Sequence, residues 1–392
     1  MIRMLAAAAL VGATVYTGEG EPLDGATVVI DGDRIVAVGQ NVAVPADARR
    51  IDVEGRVVTP GLVDVASRLG VTEIDLESTS VEATAAPEPE DVHARLRAWD
   101  TYNPASLAIP VARQGGITSV AILPTGGLIS GQSAWVDLAD RDPVRRAPIA
   151  VHAWLGSGGD RPGSRARRIM RLRDVLADVR LYRANRGPYI GRRLRELSLD
   201  QEDLDVLVRV LDRELPLVIA VDRAADIRTA LALGREHRIR IVLLGASEGW
   251  KLADEIAAAG VPALVDPTHN LPLDFDLLAS RGDNALLLQR AGVQVAFTLL
   301  GESHLAHRLR FAAGHAIARG FPREAALAAV TRVPAEIFGI RTAGVLRKGA
   351  RANLVVWNGD PFEVTTWATR VFLRGEEIDL TSRQDQLTER YR

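Results

Sequence analysis

The stretch that decides the fold is Val57-Val-Thr-Pro-Gly-Leu-Val-Asp64, which continues as Val65-Ala66-Ser67-Arg68-Leu69-Gly70. It divides the chain into two unlike parts. Residues 9–58 before it contain short strand-like runs, whereas strand and helix patterns alternate after it. On a strand, alternate side chains face the same side, so positions 66 and 68 share one face just beyond Asp64.

The two ends of the chain predict one small β domain. Near the N-terminus, Asp31-Gly32-Asp33 separates two β-branched runs, and an Asp-Gly pair in that setting is a strong hairpin signal. Similar short strands return near the C-terminus at residues 352–357 and 370–373. If both ends contribute to one sheet, the middle of the chain is an insertion between its halves.

The middle of the chain predicts an α/β barrel. Apolar runs at residues 117–123, 217–221, 241–244, 261–265 and 292–297 alternate with helical patterns. Continuous apolar runs are typical of strands buried on both faces, as parallel strands are under helices. Repeated units of this kind favour a doubly wound sheet or a (β/α)₈ barrel, and no Gly-x-Gly-x-x-Gly follows the first strand to support a dinucleotide fold.

Composition excludes several chemistries. The chain has 392 residues, a net charge of −2, seven histidines and no cysteine, and its only lysines are Lys251 and Lys348. Without cysteine there is no disulfide, thiolate nucleophile, iron–sulfur cluster or Cys-ligated zinc. Nucleic acid is not expected as a partner, because phosphate contacts need a basic excess. No apolar run reaches the roughly 18 residues of a membrane span, so none is expected.

Residues 1–13 fit two interpretations. Met1-Ile-Arg-Met and the alanine-rich run behind it resemble a short signal peptide, with one arginine, an apolar stretch and a small residue. Residues 9–16 also run directly into a strand pattern, which favours a first β-strand. The signal-like interpretation implies export to the periplasm, with the cytoplasm as the alternative, and the residues leave the localisation open.

Residues 57–64 resemble the strand-one signature of the amidohydrolase superfamily, in its imidazolonepropionase-like branch. Residues 25–39, 328–339 and 344–357 resemble further blocks of that family in the right order. The resemblance implies a (β/α)₈ TIM-type barrel over residues 59–344, with a composite β-sandwich built from residues 1–58 and 345–392. It also implies a metal-dependent hydrolase of non-peptide carbon–nitrogen bonds, such as those of cyclic amides.

The implied metal ligands are missing from the sequence. In the resembled family, strand one ends in two histidines separated by one residue, and here those positions are Ala66 and Arg68. Ala220 stands where a later histidine is implied, and Leu244 and Thr298 stand near two further ligand positions. Alanine has no ligating atom, and arginine keeps its proton in proteins.

A charge estimate gives the same answer. An arginine about 4 Å from a divalent ion, at an effective dielectric near 20, is repelled by roughly 8 kcal/mol. We therefore expect no cofactor, although a zinc-type divalent ion is the one that the resemblance implies. We also expect Arg68 to pair with Asp222 across the barrel mouth, and Asp64 to anchor a neighbouring strand end or loop by hydrogen bonds.

Candidate functional residues remain near the predicted strand ends. The candidates for catalysis are Asp64, His152, Asp222 and His304. The candidates for a pocket are Arg68, Gln132, Glu248, Trp250 and His269. A metal site rebuilt from His152, His269 and His304 with Asp222 is the alternative to a metal-free mouth. Gln132 ends a glycine-rich segment, residues 124–132, that predicts either a ligand-binding loop or a structural hairpin.

Three functions remain open on these residues. The first is a hydrolase with a rebuilt or metal-free site. The second is a catalytically degenerate member of the family that binds a small ligand or accompanies an active paralogue. The third is a scaffold without a ligand. Homo-oligomerisation fits each of them. Fold alone does not choose among these functions, because function depends on the site.

Overall fold

The computed structural model describes residues 7–85, 91–156, 164–300 and 303–392. Sixteen strands lie in these residues. In chain order they are β1 (Ala8–Val15), β2 (Leu23–Asp31), β3 (Arg34–Gly39), β4 (Arg49–Asp52), β5 (Val57–Pro60), β6 (Leu62–Ser67), β7 (Ile117–Ile122), β8 (Ile129–Asp137), β9 (Val144–Trp154), β10 (Leu217–Val221), β11 (Ile241–Gly245), β12 (Ala263–Val265), β13 (Val295–Phe297), β14 (Leu354–Trp357), β15 (Ala368–Leu373) and β16 (Glu376–Glu377).

Both ends of the chain contribute to one mixed sheet. Its order is β16-β15-β14-β5-β1-β2-β3, with β4 beside β1. The predicted hairpin is present, because Asp31 pairs with Arg34 across β2 and β3 and Gly32 takes a φ of +55°. The strand that residues 9–16 favour is present as β1, over Ala8–Val15. Residues 1–6 lie outside the described residues.

A second sheet forms the predicted barrel. Its eight strands follow the order β13-β12-β11-β10-β9-β8-β7-β6, and apolar residues of the strands fill its interior. Residues 335–343 add to the same interior cluster through Ala335, Ile337, Phe338, Ile340 and Ala343. The prediction of an α/β barrel with a separate composite β domain is confirmed. The domain boundaries at residues 58 and 345 stay a prediction.

One strand of the barrel runs against the others. β8 is antiparallel to both β7 and β9, whereas the remaining pairs in this sheet are parallel. The connections explain this direction, because β7 and β8 are joined by a tight turn at Gly126 and Gly127, which have φ values of +88° and +64°. A turn this short joins antiparallel strands, since a parallel crossover needs a dozen or more residues. Of the two interpretations of residues 124–132, the structure shows the hairpin.

Helices surround the barrel and end the chain. They are α1 (Ala108–Gln114), α2 (Arg165–Ala184), α3 (Arg186–Ile190), α4 (Gln201–Leu211), α5 (Ala224–His237), α6 (Ala253–Ala258), α7 (Asn284–Arg290), α8 (Leu309–Ala318), α9 (Arg323–Ala329), α10 (Arg332–Ile337) and α11 (Arg383–Tyr391). In the described part of the chain, no helix combines the length and apolarity needed to cross a bilayer.

Candidate functional site

The carboxyl ends of the parallel barrel strands meet at one mouth, where barrel enzymes place their sites. Two positions implied as metal ligands and one residue near a further position lie there as apolar side chains. Ala66, Ala220 and Leu244 are 0%, 8% and 3% exposed and belong to the same apolar cluster inside the barrel. The space that ligating atoms would need is therefore lined by methyl groups.

Arg68, at the remaining strand-one position, is held in an ion pair. Its Nη1 lies 2.8 Å from Oδ1 of Asp75, and both side chains are about one quarter exposed. The other carboxylate oxygen of Asp75 lies 3.7 Å from Nδ1 of His304. This Arg68–Asp75–His304 cluster links the loop after β6 to the segment after β13. The expected Arg68–Asp222 pair is not what the structure shows, because each residue has a different partner.

Asp64 joins the first and last strands of the barrel. Its Oδ1 accepts a hydrogen bond from the hydroxyl of Thr298 at 2.6 Å, and Thr298 directly follows β13. The Leu300 N–H donates to the same hydroxyl oxygen at 3.3 Å, which leaves the hydroxyl proton directed at Asp64. Burial raises the pKa of Asp64, while the hydrogen bond from Thr298 opposes that rise. The predicted anchoring by Asp64 is confirmed.

Asp222 directly follows β10, and its carboxylate accepts hydrogen bonds from the segment after β11. Its Oδ1 accepts from the Ser247 N–H at 3.1 Å and from the Ser247 hydroxyl at 2.6 Å. Gly245 makes this approach possible, since a Cβ at that residue would lie 2.6 Å from the same oxygen. Burial raises the pKa of Asp222, and the two Ser247 bonds act in the opposite direction.

His152 lies in β9 and is 2% exposed. Neither ring nitrogen has a hydrogen-bond partner in the described residues. Burial lowers the pKa of His152 to about 3, so the ring is neutral near pH 7. A buried imidazole without partners costs free energy, because its N–H and its lone pair both leave water.

Glu248 and Trp250 serve neighbouring helices and loops. Oε2 of Glu248 accepts from the Ala224 N–H at 3.0 Å at the start of α5 and lies 3.1 Å from Nζ of Lys251. Burial alone would raise the pKa of Glu248, but these two donors hold it below its usual range. The indole N–H of Trp250 donates to the Ala279 carbonyl at 2.9 Å.

Gln132 and His269, the other pocket candidates, lie far apart along the barrel sheet. Gln132 is a buried residue of β8, and its strand partner Val151 belongs to the core that packs against the helices. His269 follows β12, where its Nε2 lies 3.8 Å from Oδ2 of Asp266. His269 thus belongs to the cleft beside α8, which Asp266 also lines.

The structure does not bring the four catalytic candidates together. No hydrogen bond or ion pair within the described ranges joins any two of Asp64, His152, Asp222 and His304. The same ranges contain no group of three or more His, Asp or Glu side chains that could hold a metal ion. The residues in these ranges therefore do not supply a convergent ligand set for the divalent metal that this fold implies.

Three contributors to the mouth were not singled out from the sequence as partners. Asp75 neutralises Arg68, Thr298 satisfies Asp64, and Asp266 lines the cleft near His269. For Thr298 a signal existed, because it lies within residues 296–299, the stretch in which the resemblance implies an aspartate. The other two lie in loops whose paths do not follow from local sequence.

Comparison with known proteins gives two matches to family models. Residues 112–376 match the amidohydrolase family, and residues 8–58 match the NagA composite domain. The latter range corresponds to strands β1–β5. The first match spans well over half of the chain.

Individual relatives agree with these matches. Amidohydrolase tasK of Hapsidospora irregularis is 23% identical over 375 residues, which is 85% of this chain but only 37% of tasK. Imidazolonepropionase of Paracoccus denitrificans is 25% identical over 362 residues, 86% of this chain and 89% of the enzyme. A crystal structure of an amidohydrolase from Thermotoga maritima MSB8 superimposes with a TM-score of 0.86 at 26% identity, covering 96% of this chain and 100% of the other.

Proposed function

Because this chain belongs to the amidohydrolase family, we propose that it is a member whose barrel binds a small ligand without metal-assisted hydrolysis. One observation carries the proposal. The positions at which the family holds its metal are apolar residues packed into the barrel interior, together with an arginine paired to Asp75. Hydrolytic metal sites need several convergent ligands and an open coordination position.

The electrostatics of the mouth support the same proposal. A guanidinium keeps its proton in proteins, and the carboxylate of Asp75 balances the positive charge of Arg68. Asp64 accepts a hydrogen bond from Thr298, and Asp222 accepts one from Ser247. In each carboxylate, Oδ1 is therefore bonded to a residue that follows a neighbouring strand. Arg68, Asp64 and Asp222 thus each have a protein partner at the mouth, which supports the proposal.

The experiment is a hydrolysis assay on the full chain with cyclic amides and dipeptides, with and without added zinc, manganese or iron(II). We expect no turnover under any of these conditions. Thermal shifts with the same compounds then identify a bound ligand, because a compound that binds only the folded state raises the midpoint of unfolding. Turnover that depends on added metal would contradict the proposal.

An active hydrolase with a metal-free site is the second candidate. It is favoured by Asp222, because burial raises the pKa of its carboxyl and a raised pKa brings a carboxyl toward the range useful for a general acid. In that case Asp222→Asn abolishes turnover of a cyclic amide that proceeds in the presence of a chelator. Asp254→Asn, at an exposed carboxylate of α6, is the matched control and leaves turnover unchanged.

A companion role beside an active paralogue is compatible with the same metal-free barrel. It predicts that a related chain carrying the histidine ligands co-purifies with this protein. A homogeneous preparation of this chain alone, with ligand binding intact, favours the independent ligand-binding role.

A further inference from the structure

A cleft of about 400 Å³ opens beside the barrel mouth. One wall is the segment after β12, with Asp266 and His269, and the other is the start of α8, with Phe311 and His315. Its volume lies at the lower end of the range for small-molecule sites, which is roughly 300–1,000 Å³. A single amino acid or a dipeptide is of that size.

The cleft contains one nearly buried anion. The side chain of Asp266 is 6% exposed. Its Oδ1 accepts from the N–H and hydroxyl of Thr268 at 2.8 and 2.6 Å, whereas Oδ2 lies 3.8 Å from His269, beyond hydrogen-bond distance. One oxygen of a desolvated carboxylate is therefore available to a donor, and an ammonium group is the donor that best offsets its charge.

A cation lies at the rim of the same cleft. Arg308 is exposed and lines the cleft, and among the described residues it forms no ion pair with a carboxylate. A guanidinium without a partner presents a fork of donors that matches a carboxylate. The cleft therefore offers one acceptor for a positive group and one fork for a negative group.

Apolar side chains form much of the remaining lining, which also contains Thr268, His269 and His315. Leu299, Leu305 and the ring of Phe311 supply apolar surface. Burial and the neighbouring Arg319 lower the pKa of His315, so that it carries no charge near pH 7. The balance of one anion, one cation and an apolar wall matches a zwitterion that has an apolar side chain.

We propose that this cleft binds a small zwitterion, with its ammonium at Asp266, its carboxylate at Arg308 and its apolar side chain against Phe311. The inference rests on the proposed function, since it supplies the ligand class for a barrel that binds without hydrolysing. A free amino acid and a dipeptide share this chemistry and differ in the separation of their charges.

Isothermal titration calorimetry on the full chain separates the two sources, with L-phenylalanine and glycyl-L-phenylalanine as probes. We expect at least one of them to bind. Phenethylamine, which lacks the carboxylate, and N-acetyl-L-phenylalanine, which lacks the ammonium, should each bind at least about tenfold more weakly, a difference of about 1.4 kcal/mol.

Variants assign the two charges. Asp266→Asn and Arg308→Gln should each weaken binding of the better probe by at least about tenfold, a loss that corresponds to about 1.4 kcal/mol. The matched controls Asp254→Asn and Arg290→Gln change exposed residues outside the cleft and should bind as the unmodified chain does. Arg308 is itself exposed, so its variant keeps the test valid even where Asp266→Asn fails to fold.

Absence of binding by both zwitterions overturns the inference, and so does equal binding of the probes that lack one charge. Unchanged affinity in the folded Arg308→Gln variant does the same. These outcomes are distinguishable from failure of the proposed function, which is judged by metal content and turnover on the same preparation. A metal-free, inactive protein without zwitterion binding refutes the cleft alone.

Discussion

The hydroxyl of Thr298 donates to the carboxylate of Asp64 at 2.6 Å, and this bond joins the two ends of the barrel sheet. In the described part of the chain no backbone pairing connects β13 to β6, which end the path of hydrogen-bonded strands. A side-chain bond thus spans the position where the sheet is open. Thr298 lies within residues 296–299, the stretch in which the family resemblance implies an aspartate, and here its hydroxyl bonds to the opposite end of the sheet.

Thr298→Val should destabilise the protein by about 1–3 kcal/mol, because it removes the hydroxyl donor at 2.6 Å and leaves the buried Asp64 carboxyl with the Ala66 N–H at 3.4 Å. Thr298→Ser keeps the hydroxyl and should cost clearly less. Urea unfolding followed by circular dichroism measures both variants. Equal stabilities for the valine and serine variants would show that the hydrogen bond between Thr298 and Asp64 does not stabilise the junction of β13 and β6.

His152→Leu should change the pH dependence of stability in a defined direction. In the unfolded state His152 has its ordinary pKa of 6.5. In the folded state burial lowers the pKa of His152 to about 3. Between those values the unfolded state holds the extra proton, so stability is lost as pH falls, at up to about 1.4 kcal/mol per pH unit.

The leucine variant lacks that proton uptake, so its stability should fall less steeply between pH 6 and pH 4 than that of the unmodified chain. Urea unfolding at several pH values measures the difference between the two slopes. At pH 7 the variant should be at least as stable, since an unpartnered buried imidazole has been removed. Parallel pH profiles for the two proteins would be inconsistent with a buried neutral His152.

Glu248→Ala should cost about 1 kcal/mol of stability, as expected for the loss of a side chain that accepts from the start of α5. Glu255→Ala is the matched control, because its exposed carboxylate pairs with Arg228 at the surface. Thermal unfolding compares the two. A control variant as unstable as Glu248→Ala would argue against the capping role.

The triple variant A66H, R68H and A220H should acquire zinc binding. Three imidazoles at these positions supply the ligand number of known catalytic zinc sites, and removal of Arg68 removes the repulsion. Zinc should raise the midpoint of thermal unfolding of the triple variant and leave that of the unmodified chain unchanged. A66H alone is the control, since one imidazole with Arg68 in place should gain nothing.

The sequence was sufficient for the architecture. The hairpin at Gly32 and the buried barrel strands follow from local patterns, and Ala66 and Ala220 are non-ligands by residue type alone. Strand direction does not follow from such patterns, and for this reason β8 was not identified as an antiparallel strand. The prediction that Arg68 pairs with Asp222 was also wrong, since its partner is Asp75. Ion pairs between loops depend on chain paths that hydrophobic periodicity does not determine.

The metal content of the purified full chain tests the central claim most directly. Elemental analysis for zinc, iron and manganese should be done on protein prepared without chelator and dialysed against metal-free buffer. We predict metal far below one ion per chain, both as purified and after incubation with excess zinc or manganese. Stoichiometric metal that survives dialysis would contradict the account.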